Sequence, residues 1–86
     1  MYVPEESDRS AVQSVDRTIQ IVEILGRSIV PLGVLAISGE SGIAQATVHR
    51  LLKTLERRGW VIQDEERRYA LGVAVVRLAD PALCHV

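Results

Sequence analysis

Gln45, Ala46, Thr47, His49 and Arg50 occur in one short run and carry side chains able to meet the edges of nucleic-acid bases. An arginine addresses guanine O6 and N7 with two parallel N–H groups, a glutamine addresses adenine N6 and N7, and Ala and Thr methyls touch the thymine methyl. Lys53 and Arg57 follow on the same helical side and read as phosphate contacts that fix register without reading sequence. Arg67 and Arg68, in a later polar turn, are the remaining candidates for phosphate contact. Catalysis finds no support. Ser38, Ser41 and His49 do not assemble into a nucleophile and its base, there is no glycine-rich phosphate loop, and no enzyme activity is expected. Cys84 is the one cysteine and with His85 offers too few donors for a metal, so neither metal nor cofactor is expected.

Positioning those residues requires a firm helix, and residues 45–58 supply it. Val48, Leu51, Leu52 and Leu55 form an apolar stripe while Ala46, Thr47, Arg50, Lys53 and Arg57 fall opposite. Gly59 is its expected stop, with Arg57 and Arg58 in the last turn where cations suit the helix dipole. Before it, Gly42 is suited to the positive φ of a tight corner, and Ile43 then drops back to the core. A weak helix over 34–40, capped at Gly33 and held by Leu35 and Ile37, precedes that corner. Two helices joined this way present the second to the major groove. Further upstream, a helix over 15–25 is predicted, with Ser14 as its cap and Gly26 as its stop. Residues 1–13 read as a flexible tail and 29–32, interrupted by Pro31, as an extended link. Downstream, 60–63 and 68–71 read as strands about a polar turn, with Trp60 and Tyr69 as apolar anchors rather than base-stacking groups. Residues 73–86 read as a short linker helix, closed at Asp80-Pro81, and a C-terminal tail.

The expected architecture is therefore mainly α with a small β-hairpin: a winged helix-turn-helix with a three-helix core, a two-stranded wing and a C-terminal linker helix. Length supports one domain, residues 14–72, of modest stability. Apolar residues make up 48% of the chain but Phe is absent, so the core must be aliphatic. Net charge is −1, which taken alone speaks against nucleic acid. Its distribution speaks the other way: between Ile43 and Gly59, Arg50, Lys53, Arg57 and Arg58 face one acid, Glu56. No apolar run approaches a membrane span, and acidic Glu5, Glu6 and Asp8 replace the basic start of a signal peptide, so a cytoplasmic protein is expected.

The chain resembles the IclR family of bacterial transcription regulators, in the winged helix-turn-helix of their N-terminal domain. The resemblance is carried by Ser14-Val15-Asp16-Arg17, Ser41-Gly42-Ile43, Thr47-Val48-His49-Arg50-Leu51-Leu52, Arg58-Gly59-Trp60-Val61 and Tyr69-Ala70-Leu71-Gly72, and covers residues 14–78. It implies sequence-specific double-stranded DNA binding, with Gln45, Ala46, Thr47, His49 and Arg50 at DNA-facing positions and the hairpin tip at 64–68 reaching neighbouring backbone or minor groove. A homodimer on a pseudo-palindromic site is expected, paired through helix one and residues 73–83.

Three departures stand out. Ala44 occupies a place where the family usually has Pro or Ser, and Asp64, Glu65 and Glu66 place acids on the wing tip. Family members also continue past Leu78 into a large effector-binding domain, so a small-molecule effector is not expected on this chain, which reads as a fragment or a naturally short protein. The competing reading is a winged-helix protein-interaction module without DNA binding, motivated by near-zero net charge and the acidic tip.

Overall fold

The computed structural model describes residues 6–80, with side chains from 12 onward. The first helix, α1 (Glu6–Arg27), is longer at both ends than its apolar spacing predicts. The expected tail over 1–13 is therefore corrected from Glu6 onward, and residues 1–5 lie outside the described residues. Ser14 is not a cap but an interior residue, whose carbonyl accepts the Thr18 hydroxyl at 2.7 Å. Gly26 does not stop the helix either; it faces the wing, where a Cβ would meet Leu71 Cδ1 at an ordinary van der Waals distance of 3.5 Å. The chain leaves the helix after Arg27, where Ser28 N–H donates back to the Leu25 carbonyl. Two apolar stripes run along α1. Ile21, Ile24 and Leu25 are buried, whereas Val12, Val15 and Ile19 remain more than half exposed.

Next come α2 (Val34–Ser41) and α3 (Gln45–Arg57), joined by the corner at Gly42. Gly42 takes φ 76° and its N–H donates to the Ser38 carbonyl at 2.9 Å, the left-handed closure expected there. Ser38 and Ser41 then fasten the corner: the Ser38 hydroxyl donates to the Ile43 carbonyl, and Ser41 Oγ accepts the Ile43 N–H. Ile43 is thereby held in the core. Ile37 is wholly buried, but Leu35, expected to pack beside it, is 71% exposed. The reason is spacing: in an eight-residue helix Val34 and Ile37 share the inward face, which turns Leu35 and Ala36 outward.

Helix α3 buries Val48, Leu52 and Leu55. It ends one residue earlier than 45–58, at a Schellman closure in which Gly59 N–H donates to the Glu56 carbonyl and Trp60 N–H to the Leu55 carbonyl. Strands β1 (Val61–Gln63) and β2 (Tyr69–Leu71) pair antiparallel, Ile62 opposite Ala70. The link over 29–32 does more than connect. Leu32 and Tyr69 exchange both backbone hydrogen bonds, at 2.9 and 2.7 Å, adding a one-rung third strand beside β2. Tyr69 is buried and Trp60 packs against the core, as apolar anchors of the wing. Gly72 then leads into α4 (Val73–Leu78), while Pro81, Cys84 and His85 lie outside the described residues.

Candidate nucleic-acid interface

With its apolar stripe turned inward, α3 presents Gln45, Ala46, His49, Arg50, Lys53 and Arg57 on the exposed side. Thr47 is half-buried. The cap at Ala44 supplies no side-chain hydrogen bond, so the first-turn N–H groups of α3 are left without that partner. His49 joins two depressions. On one flank it shares a cleft of about 560 Å³ with Gln45, Ala46 and, across from them, Leu35, Gln63 and Arg67. On the other it adjoins Arg50, Lys53 and Arg57. The structure thus brings Gln45, Ala46 and His49 into one surface with the wing's Arg67 and sets Arg50, Lys53 and Arg57 along its continuation, while Thr47 lines neither depression.

The cations differ in their engagement. Lys53 pairs with Glu56 at 3.3 Å, and Glu56, followed by the Tyr69 hydroxyl, holds its ammonium above the ordinary lysine range. Arg57 donates to the Thr54 hydroxyl, at 3.4 Å, and has no ion pair among the described residues. Arg68 is bound within the wing, its Nε 3.3 Å from Asp64 Oδ2 and its Nη2 3.2 Å from Glu66 Oε1. Arg67 is exposed and has no ion pair among the described residues.

The wing turn is organised by Asp64. Its Oδ1 accepts the backbone N–H groups of Glu66 and Arg68, at 2.8 and 2.9 Å, and these bonds, Arg68 first, hold its carboxyl below the ordinary aspartate range. The loop closes through Arg67 at φ 62°, a left-handed conformation that costs a non-glycine residue about 1 to 2 kcal/mol. The acidic tip is therefore partly a folding device. Asp64 caps the turn and, with Glu66, neutralises Arg68.

Sequence reasoning missed Leu35 and Gln63 in the α3–wing cleft. Strand alternation was the available signal for Gln63, which shares the face of Val61 across from Tyr69. For Leu35 the signal was the inward pair Val34 and Ile37.

A three-helix core with a corner at Gly42, a basic exposed face on the second helix of the pair and a hairpin beside it define a winged helix-turn-helix DNA-binding domain. Residues 14–65 match the family described as IclR helix-turn-helix domain. The chain belongs to the IclR helix-turn-helix family. It is 36% identical over 66 residues to the HTH-type transcriptional regulator XynR of Escherichia coli, covering 76% of this chain and 26% of that protein. It is 35% identical over 73 residues to the glycerol operon regulatory protein of Streptomyces coelicolor, covering 84% and 29% respectively. Among solved structures, an IclR family transcriptional regulator from Brucella abortus superposes with a TM-score of 0.74 at 32% identity, covering 86% of this chain and 29% of that one. The chain thus spans only 26% and 29% of the length of these two curated relatives. These matches favour DNA binding over the protein-interaction module. No helix among the described residues is long and apolar enough to cross a membrane.

Proposed function

We propose that this chain recognises a specific double-stranded DNA sequence in the cytoplasm by laying α3 in the major groove. In this reading Gln45, Ala46, Thr47, His49 and Arg50 meet base edges, while Lys53, Arg57, Arg67 and Arg68 meet phosphates. Arg68 does so by exchanging Asp64 and Glu66 for phosphate oxygens. The observation that carries the proposal is the continuous exposed face from Gln45 to Arg57, set opposite buried Val48, Leu52 and Leu55 and flanked by Arg67.

The protein acts as a homodimer on paired half-sites. Support comes from an aliphatic surface that one small core leaves uncovered: Val12, Val15 and Ile19 on α1, and Val73, Val76 and Leu78 on α4. Val15 and Ile19 also line a groove of about 610 Å³ floored by Leu55 and Trp60. Surfaces of this kind mark association sites.

Duplex binding measured at rising salt tests the proposal. Affinity is expected to fall linearly in log–log form, with a slope reflecting the phosphates contacted. An affinity that is flat with salt contradicts it.

A further inference from the structure

Leu35, the second residue of α2, is 71% exposed and lines the cleft beside Gln45, Ala46 and His49. An exposed leucine alone is ordinary. This one lies on the surface that carries the base-addressing residues, apart from the groove formed by Val15 and Ile19. Its neighbour Ala46 is likewise exposed, so two aliphatic side chains border the first turn of α3. Val34 packs against the core and fixes the turn that carries Leu35. The first turn of α2 also holds no acid, so nothing there repels an approaching phosphate backbone.

In the major groove the thymine C5 methyl is the apolar group offered on a base edge. We propose that Leu35, with Ala46, forms an apolar contact for that methyl, so that α2 contributes a specificity-determining residue beside the recognition helix. The inference rests on the DNA-binding reading above and adds to it a thymine preference supplied from outside α3.

The experiment uses a duplex selected from a random library by the full chain, compared with the same duplex carrying uracil in place of thymine. Uracil deletes the methyl and leaves every hydrogen-bonding group in place. The wild-type chain is expected to bind the uracil duplex about fourfold more weakly for each methyl contacted. Leu35→Ala is expected to show a thymine-to-uracil loss smaller than the wild type's, by up to about fourfold for the methyl that Leu35 meets, with little change in Tm because the site is exposed. The same thymine-to-uracil loss in Leu35→Ala as in wild type overturns the proposal, as does the absence of any loss in wild type. A lowered Tm with unchanged thymine discrimination also overturns it, assigning Leu35 to the fold. In these outcomes DNA binding itself stands. Failure of the wild-type chain to enrich any duplex at low salt overturns the underlying reading and this inference together.

Discussion

Arg50 and Leu52 are two positions apart on α3, yet one is exposed and the other wholly buried. Leu52→Ala leaves a cavity and is expected to lower unfolding free energy by about 2 to 5 kcal/mol in urea titrations. Arg50→Ala is expected to leave Tm unchanged and to weaken duplex binding by about 1 to 3 kcal/mol. Equal effects on stability contradict the assignment of faces. Asp64 carries a pH prediction. Because its folded carboxyl is held below the ordinary value of 3.8, the folded state favours the carboxylate. That stabilisation is fully present above the unfolded pKa and is lost as pH falls through the lower folded one. Hydrogen exchange at the Arg68 amide should therefore report a wing that loosens below that value. Asp64→Asn should remove this step. It also releases Arg68 from one of its two carboxylates, Glu66 remaining, and deletes a charge facing phosphate, so its duplex affinity should rise.

Between elements, the joint at Gly72 is the tightest. Its N–H donates to the Trp60 carbonyl at 2.7 Å, and a Cβ there would fall 2.3 Å from the Gly59 carbonyl oxygen. Gly72→Ala is expected to cost about 1 to 3 kcal/mol, because backbone must move to admit the methyl. Gly39→Ala, inside α2 with nothing within 4 Å of the added carbon, should instead gain about 0.5 to 1 kcal/mol. Urea midpoints of the two variants check both signs. Sequence made α3 and its corner legible because the spacing of Val48, Leu52 and Leu55 is regular and Gly42 has one evident use. It hid the first turns of α1, where polar residues before Val12 look like a tail although they carry no helix breaker. A one-rung strand at Leu32 has no periodicity to find. The pairing of Arg68 with Asp64 and Glu66 depends on a left-handed Arg67, which local composition does not signal. The candidate base contacts were legible as an exposed helical face, whereas the cleft that adds Leu35 and Gln63 arises only when α2 and the wing come together.

For the molecule as a whole, a net charge of −1 conceals a segregation in which α3 gathers cations and the wing neutralises one of its own. The uncovered aliphatic stripes on α1 and α4 lead to a prediction at this scale. Val15→Glu combined with Ile19→Glu should shift the chain toward monomer in sedimentation and weaken binding to a palindromic duplex more than to a half-site. Unchanged mass would contradict a dimer formed through these stripes. The central claim is that α3 enters the major groove, and methylation interference on a selected duplex tests it most directly. Methylating guanine N7 in the major groove is predicted to block wild-type binding, with the effect at one guanine lost in Arg50→Ala. Interference confined to adenine N3, in the minor groove, would contradict the account.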